Sequence, residues 1–272
     1  MKKSFAVFWK RNLAFANLAI VSNLEYRLNY FVDVIVQPLM TTGIEILLWV
    51  AVFQGANSTT INGLGREYYL SYALWAAFFG RIATSWMYEF RMIEEISSGS
   101  VNSLIVRPLG FYEYYLSQLL GYKFITTAFS LFIPILAASY FNLPTIYSRI
   151  PLATLLCFYY LILVHTISFI VSSLAFHLTK ISSFTVAKNL LFWILSGELF
   201  PLDLIPEPWR SRIMTLPFAS GVFLPVGYIT NRLGDTEMLN GFYSVTISLI
   251  VLNLLGAWLW KKGLNSYTGT GA

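Results

Sequence analysis

Long apolar runs separated by short polar segments dominate this chain. Each run can cross a hydrocarbon core of about 30 Å, which takes roughly 20 helical residues. The runs are continuously apolar, whereas the strands of a membrane barrel alternate apolar and polar residues. The pattern predicts an all-α integral membrane protein, with one transmembrane domain over residues 1–272. The six predicted transmembrane helices lie near 30–53, 68–90, 114–141, 151–178, 182–202 and 242–260.

The first 24 residues have a different pattern, in which basic residues interrupt aromatic and aliphatic ones. Lys10 and Arg11 stand directly after Phe8 and Trp9, so no apolar stretch here is long enough for a span or a secretory signal. The mixture is typical of an amphipathic helix that lies in the membrane interface. We therefore predict an in-plane helix over 1–24; a disordered basic tail is the alternative.

Prolines concentrate before the last predicted span. The stretch 196–230 holds Pro201, Pro206, Pro208, Pro217 and Pro225. Proline removes a backbone donor and breaks helices, so this stretch cannot be one straight span. Irregular backbone at membrane depth is tolerated only where protein or water covers it. We predict a re-entrant helical element over 198–230 on the external side.

Composition and charge support this class and set its orientation. The chain is 57% hydrophobic and only 11% charged, far from the balance of a soluble domain. Basic residues are retained on the cytoplasmic side of a membrane. With both termini cytoplasmic, the inside carries Lys2, Lys3, Lys10, Arg11, Arg27, Arg91, Arg107, Lys180, Lys188, Lys261 and Lys262, and the outside carries Arg66, Arg149, Arg210, Arg212 and Arg232. The net charge of +5 follows from this asymmetry, so we expect no nucleic-acid partner.

Motifs for covalent chemistry, phosphate binding or metal binding are missing from the sequence. Its one cysteine, Cys157, lies within a predicted span, and His165 and His177 are too isolated for a metal cluster. No phosphate-binding loop and no paired-histidine metal motif occurs. We therefore expect a protein that is not an enzyme and binds no metal. Its energy source would be a gradient or another subunit.

The loop 91–112 between the second and third predicted spans is unusually charged for this chain. Acidic residues at the inner surface oppose the usual basic excess, and a glycine and a proline bracket a short segment that can turn back on itself. A charged, exposed and bracketed segment suits docking of a partner; a solvated connector is the alternative. The candidate docking residues are Arg91, Glu94, Glu95, Gly99, Arg107 and Pro108.

Polar residues inside the predicted spans form three sets with helical spacing. Such residues are costly in lipid and face protein or a water-filled path. For the first set we expect a partner helix, and we predict an ion pair between Glu45 and Arg81. The sets are Asn29, Asp33, Gln37, Thr41 and Glu45 in the first span, Arg81, Ser85 and Glu89 in the second, and His165, Ser168 and Ser172 in the fourth.

Two further charged residues and the many aromatic ones have open interpretations. Lys123 is expected to extend its amine to the interface. Glu198 suits a gate, a helix cap or a substrate contact. The six aromatic residues below pack in the bundle or line a cavity for flat, apolar or cationic compounds. They are Trp49, Trp75, Phe78, Phe79, Trp86 and Trp193.

The order of these parts resembles the permease subunits of type-2 ABC exporters. The stretch "SGELFPLDLIPEPW" is similar to that family's signature before the sixth span, with Ser196-Gly197, Phe200-Pro201 and Pro206 in place and "LPF" following at 216–218. The loop "ISSGSVNSLIVRPLGFYEYYLSQLLG" is most similar to a bacterial branch in which two different permeases share a separate ATPase, as in drug or viologen export.

That resemblance implies a function for each part. Residues 91–112 would be the coupling segment that contacts an ABC ATPase dimer, with ATP and magnesium bound by that partner. A second permease subunit would complete the path, either a different chain or a second copy, in the inner cell membrane and surrounded by lipid. An amphiphilic, drug-like or lipid-like substrate would move outward by alternating access. Its path or gate would include Glu45, Arg81, Trp193, Glu198, Pro201 and Phe218.

Two other classes remain open from the residues alone. An ion-coupled secondary transporter would fit the span count, with Asp33, Glu45 or Glu198 carrying a proton. Such folds commonly contain inverted repeats, and the two halves of this chain show no persuasive similarity. A membrane-embedded enzyme acting on lipids would need a convergent catalytic set, which the sequence lacks.

Overall fold

The computed structural model describes residues 2–25, 27–106, 110–178 and 181–267, and most of them are helical. A two-stranded antiparallel hairpin, β1 (Thr60–Ile61) and β2 (Leu64–Gly65), joins two of the helices. The α-helices are α1 (Lys2–Glu25), α2 (Arg27–Phe31), α3 (Gln37–Ala56), α4 (Arg66–Ala83), α5 (Trp86–Ser97), α6 (Asn102–Ile105), α7 (Phe111–Ser130), α8 (Phe132–Tyr140), α9 (Ile150–Ser173), α10 (Ser182–Ser196), α11 (Trp209–Thr215), α12 (Phe223–Ile229) and α13 (Asp235–Ser266).

Four segments of the described chain are long and apolar enough to cross a membrane. Three combine successive helices that run on with little interruption. The first joins α2 to α3 through a π-helical turn at Val32–Val36. The four segments are Arg27–Ala56, Phe111–Tyr140, Tyr147–Phe176 and Asp235–Ser266. They agree with the first, third, fourth and sixth predicted spans, and they confirm a helical, multi-pass membrane protein.

The second predicted span, 68–90, is two helices and not one. Helix α4 ends at Ala83, Thr84 is extended with φ −97° and ψ 142°, and α5 begins at Trp86 and continues to Ser97. The hydroxyl of Thr84 bonds to the carbonyl of Arg81 at 3.3 Å, a local bond that competes with the helical pattern. Hydropathy does not detect this break, because apolar residues continue on both sides of it.

The fifth predicted span, 182–202, ends earlier than expected. Helix α10 stops at Ser196, and Gly197 follows with a left-handed φ of 83°. The amide of Gly197 bonds to the carbonyl of Ile194 at 3.2 Å, and that of Glu198 to Trp193 at 3.0 Å. These two bonds form a Schellman motif, in which glycine is the favoured residue.

The proline-rich stretch after α10 is divided into short pieces, as proline requires. Two 3₁₀ turns, Leu202–Leu204 and Pro217–Ser220, alternate with α11 and α12. Every residue of α12 is buried, and this helix packs against α4, α9 and α13. The second half of the stretch is therefore part of the bundle core and not a surface loop.

Two hydrophobic cores hold the bundle together. The larger joins α3, α4, α9, α12 and α13 around fully buried rings such as Trp75, Phe79, Tyr160 and Phe223. The smaller core surrounds the C-terminal half of α5, where Met92 and Ile96 contact Leu104 of α6 and the first turns of α7. The indole of Trp260 on α13 stacks on the ring of Phe111, with centroids 4.8 Å apart. The segment after α5 is thus anchored to the last helix of the chain.

Helix α1 packs lengthwise along the first half of α7. Ser117 donates a hydrogen bond to the amide oxygen of Asn12 at 3.2 Å, and the rings of Phe15 and Tyr114 lie 5.1 Å apart. At the closest approach, a Cβ on Gly121 would lie 2.6 Å from the carbonyl oxygen of Ala16. Only glycine allows this backbone contact without displacement of a helix.

Replacing Gly121 by Ala should destabilise the protein. The new methyl group would meet backbone atoms of α1, which cannot move aside as a flexible side chain can, and overpacking of this kind typically costs about 1–3 kcal/mol. The matched control is Gly43→Ala on α3, where the added Cβ meets no atom within 4 Å of the described residues. Thermal unfolding of the purified chain in detergent is the measurement. Equal midpoints for the two variants would contradict the close packing of α1 on α7.

Candidate functional site

A cavity of about 630 Å³ lies between α3, α4, α5 and α7 and is partly open to the outside of the bundle. The complete polar set of the first span lines it, so the prediction that this stripe faces a partner helix is only partly right. Four residues exceed a 3.6-residue turn, so a four-residue repeat drifts around a regular helix by about 40° per step. The π-helical turn at Val32–Val36 takes up one extra residue and offsets that drift. The lining set is Asn29, Asp33, Gln37, Thr41 and Glu45.

Arg81, at the end of α4, pairs with the beginning of the first span. Its guanidinium lies 3.2 Å from Asp33 Oδ1 and donates to Gln37 Oε1 at 3.2 Å. The predicted pair of Arg81 with Glu45 is therefore wrong. The hairpin β1–β2 makes α3 and α4 antiparallel, so the end of α4 meets the beginning of α3, and Glu45 lies further along the helix.

Lys123 does not extend to the interface, as the sequence interpretation expected, but points into the break of the second span. Its Nζ donates to the backbone carbonyl of Arg81 and to the hydroxyl of Thr84, the latter at 3.2 Å. The last carbonyls of a helix have no intrahelical donor. Lys123 supplies one of the missing donors and also places a positive charge at the negative end of the α4 dipole.

The carboxylates of Glu45 and Glu198 face the cavity without an ion-pair or hydrogen-bond partner among the described residues. Glu198 lies directly over Gly80 of α4, where a Cβ would come within 2.6 Å of its Oε1 atom. The two carboxylates are near enough to repel each other. The ionisable lining consists of three acidic and two basic side chains, so the acids outnumber the bases by one.

Aromatic side chains form much of the remaining wall. Of the six proposed from the sequence, only Trp86 and Trp193 line this cavity, and the other four are buried in the larger core. Tyr30, Tyr88 and Tyr122 join them, and the Tyr122 hydroxyl donates to Asp33. The proposed gate residues Pro201 and Phe218 lie apart from the described lining; Phe218 packs on Phe192 with ring centroids 5.1 Å apart.

A buried ion pair joins α5 to α10. Lys188 Nζ contacts Glu89, and their side chains are 7% and 0% exposed. Ser168 of α9 donates to the same carboxylate at 2.5 Å, and Ser85 lies 2.9 Å from Ser168. The sequence interpretation counted Lys188 among the basic residues of the inner side, but its ammonium is buried between helices and paired with Glu89. The helical spacing of Ser85 and Glu89 indicated that Glu89 faces protein, but it did not indicate that Lys188 is its partner.

A second charged cluster, which the sequence interpretation missed, surrounds Asp203 near the opposite end of the bundle. Its side chain is only 2% exposed and lies 3.1 Å from Arg210 and 3.2 Å from Arg232. Tyr68 donates to it at 2.9 Å, and the Asn62 side chain donates to its backbone carbonyl at 3.0 Å. The Asp203 carboxylate therefore joins α4, the proline-rich stretch and the turn before α13, and its backbone carbonyl binds the hairpin.

The candidate docking residues lie in the C-terminal half of α5 and in the segment after it, whereas Trp86 at the N-terminal end of α5 lines the cavity. Arg91 and Glu94 are exposed, Glu95 is half-buried, and Gly99 turns the chain with φ 79°. The Tyr267 hydroxyl donates to the carbonyl of Gly99 at 3.3 Å, which fixes this turn to the end of the chain. Arg107 and Pro108 lie outside the described residues.

Apolar side chains are also exposed directly after α6. Ile105 is 41% exposed and Val106 is 81% exposed, although neighbouring Leu104 is buried in the smaller core. Exposed apolar residues next to exposed charges are typical of protein contact surfaces. The segment thus has a base, which is packed in the smaller core through Leu104, and an exposed tip, which consists of Ile105 and Val106.

Removing one partner of the Glu89–Lys188 pair should destabilise the protein far more than removing both. Glu89→Leu alone leaves a buried ammonium without its counter-ion, and Lys188→Met alone leaves a buried carboxylate; loss of one partner of a buried pair costs about 3–5 kcal/mol. The double variant Glu89→Leu/Lys188→Met should recover most of this loss. Denaturant unfolding in detergent provides the double-mutant cycle.

The half-exposed pair of Arg81 and Asp33, at 20% and 32% exposure, is the matched control. Its coupling should not exceed about 1 kcal/mol, as is usual for solvated pairs. Additive effects of the Glu89 and Lys188 substitutions would contradict the buried pairing.

A family model described as "ABC-2 family transporter protein" matches residues 39–271, well over half of the chain. A comparison with curated proteins gives no match. Members of this family are membrane components without ATPase activity that typically work with an ATPase. The matched region takes in all or most of each of the four long apolar helices. The chain is therefore a multi-pass permease component of an ABC transporter and belongs to the ABC-2 transporter family.

Proposed function

We propose that this chain is one permease subunit of an ATP-driven exporter that moves an amphiphilic, drug-like or lipid-like substrate outward by alternating access. The observation that carries the proposal is the 630 Å³ cavity, with its mixed charged and aromatic wall. Pockets for drug-sized molecules are usually about 300–1,000 Å³ and combine apolar walls with a few polar groups. Glu45, Arg81, Trp193 and Glu198 would contact the substrate along its path.

In this proposal the chain crosses the inner cell membrane six times, with both termini cytoplasmic. Helices α4 and α5 together would form the second span, and α10 the fifth. The excess of basic residues on the predicted inner side supports the orientation. Helix α1 would lie on the inner side, beside the first half of α7, where its exposed Trp9, Leu13 and Leu18 meet lipid. The stretch 198–230 would form the external cap, with Pro201 and Phe218 near the gate.

An ABC ATPase dimer would dock on residues 91–112 and hold the ATP and magnesium. Two features support this: the exposed tip at Ile105 and Val106, and the rigid base formed by the smaller core. Helix α5 has 12 residues and spans about 18 Å at 1.5 Å per residue. Its cytoplasmic end carries Glu94 and Glu95, and its other end places Trp86 in the cavity wall. A displacement of the docked end would thus reach the cavity through one helix.

A second permease subunit would complete the path. The first span has only 22% of its apolar window buried, and large side chains such as Leu28, Ile44 and Leu47 are exposed along it. Lipid or another subunit would cover this face. The resemblance to systems with two different permeases favours a heterodimer, and a homodimer is the alternative.

The docking proposal predicts that a tip substitution removes the ATPase. Purification of the chain from native membranes in mild detergent should recover a stoichiometric ATPase and ATP hydrolysis. Val106→Asp, at an 81% exposed position, should abolish recovery without loss of folding, because it places a charge in an apolar contact. The reversal Glu94→Lys/Glu95→Lys should act in the same way by inverting the local charge.

The matched control is Glu67→Lys/Glu207→Lys, which reverses two exposed carboxylates on the predicted external side. It should leave ATPase recovery unchanged. Recovery of the chain alone, with transport that continues after ATP depletion, would overturn the exporter proposal. The ion-coupled carrier would then be the better interpretation.

A further inference from the structure

We infer that the cavity selects a monovalent organic cation and holds it between Glu45 and Glu198. This inference rests on the proposed function, because it takes the cavity to be part of the substrate path. The ABC-2 family does not specify a substrate, but the side chains of the cavity wall favour one charge and one kind of surface.

The charges of the wall divide into satisfied and unsatisfied groups. Arg81 and Asp33 form an ion pair, and Asp33 also accepts a bond from Tyr122. Lys123 is held by the Arg81 carbonyl and the Thr84 hydroxyl. Among the described residues, the side-chain carboxylates of Glu45 and Glu198 have no such partner.

The position of the two unpaired carboxylates makes them available to a ligand. Both line the cavity, and they approach it from different elements, α3 and the turn after α10. They lie near enough for their charges to interact when both are ionised. A cation between them would relieve that repulsion and add two attractive interactions, whereas an anion would add to the repulsion. Lys123 offsets one of the two charges, so the wall matches a single positive charge.

The remaining wall suits a cation that carries apolar groups. The indoles of Trp86 and Trp193 lie beside the charged residues, and the Tyr30 ring is also in the wall. The faces of aromatic rings attract organic cations, and indole does so most strongly. The strongly hydrated inorganic cations would gain little from these rings. A lipophilic cation would be favoured by both the rings and the carboxylates.

Glu198 can occupy this position because residue 80 is a glycine and has no side chain. Gly80 leaves the space in which the carboxylate lies, and a Cβ there would come within 2.6 Å of the Glu198 Cδ and Oε1 atoms. Gly80→Ala would therefore move the carboxylate without changing any charge. This gives a test of position that is independent of the loss of the acid.

The experiment measures binding of tetraphenylphosphonium and of tetraphenylborate, which share one shape and carry opposite charges. Equilibrium dialysis of the purified full-length chain against matched detergent micelles gives the dissociation constants without ATP or the ATPase. Tetraphenylphosphonium should bind the wild-type chain at least on the order of tenfold more tightly than tetraphenylborate, given the charge of the wall.

Variants identify the residues that are responsible. Glu45→Gln and Glu198→Gln preserve side-chain shape and should each weaken cation binding by on the order of ten- to a hundredfold. Gly80→Ala should weaken it as well. Glu67→Gln, an exposed acid on the first turn of α4, should leave binding unchanged.

Equal binding of the two probes, tighter binding of the anion, or cation binding that is unchanged in both Gln variants would overturn the inference. The wild-type comparison of the two probes needs no variant, so misfolding of a variant cannot rescue or defeat it. None of these outcomes affects the exporter proposal, which depends on recovery of the ATPase. Conversely, cation binding in a chain that recovers no ATPase would retain the site and reject the exporter.

Discussion

The break between α4 and α5 is the constraint on which the rest of the structure depends. A helix that ends among apolar segments leaves carbonyl oxygens that hydrocarbon cannot hydrate, so the protein must supply donors for them. Lys123 of α7 does this at the Arg81 carbonyl, and the hydroxyl of Thr84 adds a second local bond. The donor comes from a different helix, so the break also fixes where α7 stands relative to α4. The cavity occupies the space that this arrangement opens.

Because α5 is a separate helix, it needs its own attachments to the bundle. Its apolar face is bound by the smaller core, and its polar face by the Glu89–Lys188 pair and Ser168. These attachments come from α6, α7, α9, α10 and α13, so a displacement at one end of α5 cannot be absorbed locally. The same helix carries exposed charges at one end and a wall of the cavity at the other. This arrangement can transmit force because its contacts are packed and not solvated.

The sequence predicted the class of the fold and much of the composition of the site, but not its pairings. Hydropathy located four spans well, because length and apolarity are properties of a single segment. The polar stripe from Asn29 to Glu45 was visible for the same reason, since its spacing is local. Pairings were not predictable in this way. Arg81 pairs with Asp33 and not with Glu45 because the hairpin makes α3 and α4 antiparallel. Lys188 pairs with Glu89, which lies 99 positions away in the chain.

Backbone irregularities explain most of the remaining differences. The π-helical turn at Val32–Val36 brings the polar residues from Asn29 to Glu45 to one cavity. The residues VDVIV contain no pattern that predicts such a turn. The extended Thr84 divides the second span, although Thr also occurs inside regular helices. By contrast, Gly197 ends α10 with a Schellman motif that "SGELFP" could have indicated, since glycine before a proline is a common helix terminus. The predicted end at 202 gave the apolar residues more weight than this signal.

The distribution of paired and unpaired charges indicates where water must enter. The buried acids Glu89 and Asp203 each have a cationic partner, as buried charges require, and the partly exposed Asp33 also has one. Glu45 and Glu198 have no such partner in the described part of the chain, and an ionised group without a partner costs several kcal/mol when it is removed from water. Both line the partly open cavity, so hydration through its opening is the compensation that remains. A partly open cavity lined by two unpaired carboxyl groups and bounded by a divided helix suits the transport path proposed above, because an occupant could exchange with water through the opening.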